Sequence, residues 1–261
     1  MAVFLSRRWN KQPQGPVGID WGNRLSEGLL VAVLPSPSNM LVNLVDGSRP
    51  TITSSNYTFG YRAGGSAFIQ NSTDSTVSFA LRKSIPLGTG ARYTLGSVSA
   101  WNEGPNNVMR GYPGPDIRFQ TDWLDLVMLD HWNGASDNRV TLATPGAATG
   151  AAITVGYDGT NVWAANRVNT ATAAAGGLGK TITSVEITLD WDTQGINTYS
   201  QLLAFWESSL YSAAALEFAA NPWQLFRPIQ QRIYVNVAAV GGLSIPIAAY
   251  HYNHHLGSMS S

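Results

Sequence analysis

Cysteine is absent from the 261 residues, which excludes disulfides, thiolate zinc sites and a cysteine nucleophile together. Charge is scarce as well: Asp, Glu, Lys and Arg make up 12% of the chain, with 16 residues of each sign and a formal net charge of zero. That is about half the usual share. Without a basic excess there is no bulk drive toward nucleic acid. Apolar runs are short, and "LLVAVL" at residues 29–34 falls far below the ~20 residues that span a bilayer. Membrane insertion is not expected. The first apolar run covers only residues 2–5 before Ser6, Arg7 and Arg8, too short for the core of a signal peptide, so none is expected.

What remains is an apolar fraction of 44%, 26 glycines and 10% aromatics, enough to bury a substantial core. This composition suits an extracellular or virion β-protein that relies on hydrogen bonding and packed rings. Residues 1–24 have little periodicity and contain Arg7, Arg8, Lys11, Arg24 and two tryptophans, which predicts an extended arm lying on a surface. From Leu25 onward, short apolar runs alternate with turn residues. "MLVNLVDGS" reads as a strand closed by the Asp46-Gly47 turn, and "STVSFALRK", "RYTLGSVSAW", "WLDLVMLDHW", "SVEITLDWD" and "TYSQLLAFWES" each read as one strand. "ITVGYDGTNVWAA" is a hairpin about Asp158-Gly159. Residues 102–116 and 170–180, rich in Gly with Pro or Ala, read as loops. One helix is expected near residues 209–220, with Ser209 or Ser212 as cap and Asn221-Pro222 as stop. Trp223 and Phe226, between Pro222 and Pro228, are expected to plug the end of the sandwich.

The pattern predicts an all-β fold, an antiparallel two-sheet jelly-roll sandwich with one short helix and extended terminal arms. The expected organisation is an arm at residues 1–20, a sandwich at 21–240 and an extension at 241–261. The succession "YDGTNVWAAN", "SVEITLDW", "TYSQLLAFWESSL", "YSAAALEFAA" and "NPWQLFRP" resembles the C-terminal half of concanavalin A-like, laminin-G-type jelly rolls, especially those of bacteriophage and prophage structural proteins. "WGNRLSEGLLVAVLP" and "LVNLVDGS" look like their first strands. The resemblance implies a virion structural protein, assembled in the host cytoplasm, for surface decoration or tail attachment. Its partners would be other virion proteins and copies of itself, with Phe4, Arg7, Arg8, Trp9, Tyr250 and Tyr252 as assembly contacts.

Two rival readings are a glycan-binding adhesin and a glycosidase. For the first, Trp101, Tyr112 and Trp132 are the candidate ligand contacts, and Trp123 and Trp163 also lie in or beside polar segments; rings flanked by Asn and Asp suit sugars, including a host-surface glycan. For the second, Glu186, Asp190 and Asp192 share strand parity, with neighbours two apart at ~6 to 7 Å. Since the other face of that strand carries Val185, Ile187, Leu189 and Trp191, these carboxylates are expected in solvent, and no catalytic set is assigned. Asp122, Asp125, Asp130 and His131 are split between faces. The histidines 251, 254 and 255 read as a polar tail, and Asp74, Asp137 and Asp158 form no calcium-loop pattern. No metal site and no cofactor are expected.

Overall fold

The computed structural model describes residues 9–36, 41–49, 51–52, 57–62, 65–70, 81–86, 92–100, 108–111, 117–123, 126–132, 137–143, 151–174, 184–187, 189–192, 199–229, 233–234 and 248–249. Two compact units divide the chain, Met1–Arg227 and Pro228–Ser261. In the second, the described residues form one short antiparallel pair, Ile233–Tyr234 with Ala248–Ala249.

The first unit is built on an eight-stranded sheet. Its central strand, Tyr93–Ala100, lies between Ala151–Tyr157 and Tyr199–Trp206. Asn161–Ala165 and then Thr170–Ala174 extend it on one side. On the other, the free edge of Tyr199–Trp206 is shared: its first residues pair with Gly65–Gln70, which carries Tyr57–Arg62, and its last pair with Leu29–Val33. A five-stranded sheet runs Asp137–Ala143, Leu126–Trp132, Ile117–Trp123, Val108–Gly111, Leu189–Asp192. Ser184–Ile187, Leu81–Pro86 and Thr51–Ile52 make a three-stranded one. Every strand pair with a defined register is antiparallel. The fold is the expected β-sandwich, with one α-helix among the described residues.

Registers across the large sheet show why its strands alternate poorly in sequence. One row reads Val31, Phe205, Leu95, Val155, Ala164, all buried. The next, on the opposite face, reads Ala32, Ala204, Gly96, Thr154, Ala165, also buried. Because both faces are covered, polar-apolar alternation is not required of the middle strands. The second row is a floor of small side chains on which the helix Ala213–Ala220 rests. Its Ala215, Phe218 and Ala219 are buried, the i, i+3, i+4 spacing of one helix face. A Cβ on Gly96 would lie 2.9 Å from the Phe218 ring and 2.9 Å from Trp206, so the close approach of helix to sheet requires glycine there. Val17, Ile19, Leu25, Leu225 and Phe226 complete this core, and Trp223 packs partly buried against it. The two rings between the prolines are therefore packed onto the core, as large rings beside a chain reversal should be.

The N-terminal segment closes the shared edge. Gln12 is buried, and its side-chain amide donates to the Ser66 carbonyl at 2.7 Å and the Gln201 carbonyl at 3.3 Å. Gln201 sits between Ser200, which pairs with Phe68, and Leu203, which pairs with Val33. The amide thus satisfies carbonyls where one strand leaves the edge and the other joins it. A Cβ on Gly65 would land on the Gln12 amide oxygen, so glycine keeps that slot open. Val17–Ile19 then pairs with the strand that starts at Phe226. The surface on which residues 9–19 lie is the chain's own.

Several local expectations are corrected. The presumed loop at 102–116 contains the strand Val108–Gly111, and the one at 170–180 begins with the edge strand Thr170–Ala174; each is a strand because it pairs with a neighbour, Leu189–Asp192 and Asn161–Ala165. "WLDLVMLDHW" is not one strand, since Trp123 ends Ile117–Trp123 and pairs with Leu126 at the start of the next. "SVEITLDWD" changes sheets: Ser184–Ile187 pairs with Leu81–Pro86, but Leu189–Asp192 pairs with Val108–Gly111. "MLVNLVDGS" turns at Asp46-Gly47 but forms one bridge, Asn43 to Val33, instead of a strand. The Asn43 side chain takes the place of a strand partner, accepting from Ala32 N at 2.9 Å and donating to the Leu30 carbonyl at 3.0 Å. The helix starts at Ala213, Ser212 makes no side-chain cap bond, and Ser209 instead accepts from the Trp163 indole at 3.2 Å.

Candidate functional site

Five tryptophans have described side chains: Trp9, Trp21, Trp163, Trp206 and Trp223. Four are buried or half-buried, and Trp21 is 54% exposed. It stands in "DWGNRLSEG", residues 20–28, between the strands Val17–Ile19 and Leu29–Val33. Asp and Gly-Asn on either side of a ring favour a tight turn, and the turn forms: Asp20 Oδ1 accepts from Gly22 N at 3.2 Å, and the Asp20 carbonyl from Asn23 N at 2.9 Å. Asn23 caps the 3-10 turn Arg24–Ser26 by accepting from Leu25 N at 2.9 Å.

Bonds from outside hold this loop at each end. Asp20 N donates to the Leu225 carbonyl at 2.8 Å, Asn23 Nδ2 to the Gln224 carbonyl at 2.9 Å, and Trp206 Nε1 to the Leu25 carbonyl at 2.6 Å. Arg24 Nε donates to Glu217 Oε2 on the helix at 2.6 Å, and Arg24 Nη2 bonds the same oxygen. Glu207 N donates to the Gly28 carbonyl at 2.9 Å. The ring therefore projects from a loop whose backbone is pinned, so a ligand would meet it without first ordering it.

Exposed aliphatics such as Val168 and Ile229 occur singly on most surfaces. Tyr211, 43% exposed, packs tilted at 5.7 Å on the buried Trp163 ring and covers it. Among the described residues, no aromatic contact or hydrogen bond engages the Trp21 side chain. A planar, apolar ring with Asp and Asn beside it can stack on the C–H face of a sugar while the polar neighbours meet hydroxyls.

Of the ring candidates proposed from sequence, Trp101 and Tyr112 lie outside the described residues. Trp132 ends the strand Leu126–Trp132 and pairs through its backbone with Asp137. Trp123 ends Ile117–Trp123. Trp163 is buried. Phe4, Arg7, Arg8, Tyr250 and Tyr252 lie outside the described residues. Trp9 is half-buried against the core, and its carbonyl accepts from Asn221 Nδ2 at 2.7 Å. Reading the first residues as an arm passed over Trp21, although the turn chemistry of Asp20, Gly22 and Asn23 was there to be seen.

The carboxylate candidates separate. Glu186 belongs to the three-stranded sheet and Asp190 and Asp192 to the five-stranded one, so single-strand parity relates Asp190 to Asp192 but not to Glu186. Asp122 and Asp130 stand in the neighbouring strands Ile117–Trp123 and Leu126–Trp132, His131 pairs with Asn138, and Asp125 lies outside the described residues. Asp74 and the histidines 251, 254 and 255 are also outside them. Asp158 serves its own hairpin: Oδ1 accepts from Thr160 N at 2.8 Å and Asn161 N at 2.7 Å. Burial pushes its pKa up, but these bonds, the Asn161 amide and the Arg92 charge outweigh that and hold it low. Among the described residues no three His, Asp or Glu side chains converge as a metal site would need.

No family model matches the chain, and no curated protein matches it. Solved structures do. It is similar to the botulinum neurotoxin serotype D binding domain, with a TM-score of 0.57 at 6% identity over 74% of this chain and 51% of that one. Domain 4 of AbnA, a GH43 extracellular arabinanase from Geobacillus stearothermophilus solved with arabinotriose, gives 0.54 at 14% identity over 74% of this chain and 98% of that domain. Trypanosoma rangeli sialidase in complex with sialic acid gives 0.50 at 8% identity over 74% of this chain and 33% of the enzyme. The chain thus spans about a third of the sialidase and half of the neurotoxin domain. These likenesses and the stacked antiparallel sheets give one conclusion: the chain has a jelly-roll-type β-sandwich fold.

Proposed function

We propose that this protein is a non-enzymatic glycan-binding module whose principal contact is the Trp21 ring. The observation that carries the reading is a half-exposed indole on a loop pinned to the helix, the Pro222–Leu225 turn and the end of the central sheet. Two of the similar structures hold a saccharide, arabinotriose in one and sialic acid in the other, and a third is a binding domain. Glu186 lies in a different sheet from Asp190 and Asp192, so the three-carboxylate set along one strand on which the hydrolase reading rested is not formed.

Trp21→Ala should weaken glycan binding at least tenfold in calorimetric titration, about 1.4 kcal/mol, with stability within about 0.5 kcal/mol of the parent because the ring is not in the core. Unchanged affinity would remove Trp21 from the site.

A virion setting, as surface decoration or tail attachment, is the second reading. It rests on the sequence resemblance, with the second compact unit, Pro228–Ser261, as the segment such a role would use. Light scattering should then find an oligomer for the full chain and a smaller species for a chain ending at Arg227. A monomer in both cases would count against assembly through that unit.

A further inference from the structure

The charges around Trp21 bear on which glycan it takes. Residues 20–28 carry Asp20, Arg24 and Glu27. The elements bonded directly to this loop add Glu207, whose backbone reaches Gly28, and Glu217 on the helix; Arg227 follows two residues past the bonded Leu225. That is four carboxylates against two guanidinium groups. One of the two is already committed, since Arg24 donates through both Nε and Nη2 to Glu217. Asp20 is half-buried beside the ring, with one oxygen accepting from Gly22 N, while Glu27 and Glu207 are exposed.

Carboxylates only accept hydrogen bonds, and sugar hydroxyls donate them. A glycan carboxylate or sulfate offers no donor, and the surplus of carboxylates on this loop and on the elements bonded to it repels an anion through a field that salt screens. Anion recognition would need a guanidinium presented as a bidentate fork. Here that fork faces Glu217 instead.

Resting on the reading of Trp21 as the stacking platform, we infer that the site selects neutral glycans and rejects sialylated or sulfated ones, with the Arg24–Glu217 pair as the specificity determinant. Breaking the pair from the helix side frees a guanidinium on the loop that carries the ring and relaxes the rejection.

The test is a glycan array printed with matched neutral, sialylated and sulfated versions of each core, probed with the full chain and with Trp21→Ala and Glu217→Gln. Neutral members should be bound about five- to tenfold more tightly than their anionic partners at low ionic strength, the margin narrowing with salt. Glu217→Gln should move the anionic-to-neutral ratio toward one. Equal binding of matched pairs, abolished by Trp21→Ala, would overturn the neutral preference and leave the Trp21 reading standing. A preference that Glu217→Gln leaves unchanged would remove the ion pair from specificity. Binding that survives Trp21→Ala, or no binding to any glycan, would overturn the reading and the inference together.

Discussion

Trp206→Ala should lower the free energy of unfolding by about 4 kcal/mol, within the range for deleting a large buried ring. Trp206 is fully buried, packs edge-on to Phe218 at 5.2 Å and donates its indole N–H to the Leu25 carbonyl. One side chain thus joins the end of the Tyr199–Trp206 strand, the helix and the loop that carries Trp21. Removal opens a cavity over the small-residue floor and leaves a carbonyl unpaired. Trp206→Phe separates these effects: it retains most of the volume and should cost about 1–3 kcal/mol through the lost donor. Urea unfolding followed by circular dichroism measures both. A loss under 1 kcal/mol for the alanine variant would mean that the helix does not depend on this ring.

Deleting residues 1–19 should destabilise the protein by about 5 kcal/mol, a large share of a typical stability of ~5–15 kcal/mol. Val17 and Ile19 are core residues at 2% exposure each, worth about 1.5–3 kcal/mol apiece. Loss of the Gln12 amide also leaves two carbonyls at the shared strand edge without it. At about 2–4 °C per kcal/mol for a chain of this size, Tm should fall by about 10–20 °C. An arm used only between subunits predicts another result: an unchanged Tm with a smaller oligomer. Calorimetry and light scattering on the same truncated chain discriminate the two.

Legibility followed the range of the interactions. The hairpin at Asp158-Gly159 was readable because its signal is local: Asp158 bonds residues two and three ahead, and Tyr157 pairs with Val162 across the turn. The helix stop at Asn221-Pro222 and the burial of Phe226 were readable for the same reason, one from backbone sterics and the other from ring size beside a chain reversal. Thr170–Ala174 was not readable, because nothing in Thr-Ala-Thr-Ala-Ala demands a strand; it becomes one by pairing with Asn161–Ala165. The division of "SVEITLDWD" between two sheets likewise depends on partners about a hundred residues earlier, Leu81–Pro86 and Val108–Gly111. Trp21 was open to view as a tryptophan in a turn, but its exposure depended on whether Leu225, Gln224 and Glu217 would hold the loop clear of the core.

From the order of residues alone came the fold class, the exclusion of cysteine chemistry, the position of the helix to within a turn, and the burial of the rings between Pro222 and Pro228, because each depends on composition or on contacts a few residues apart. Tertiary structure decided which strand joins which sheet, that residues 9–19 close the chain's own edge, and that Arg24 faces Glu217 while Trp21 of the same loop stays exposed. Those outcomes join groups up to about two hundred positions apart, and backbone pairing between them is blind to side-chain identity until the core brings the strands together.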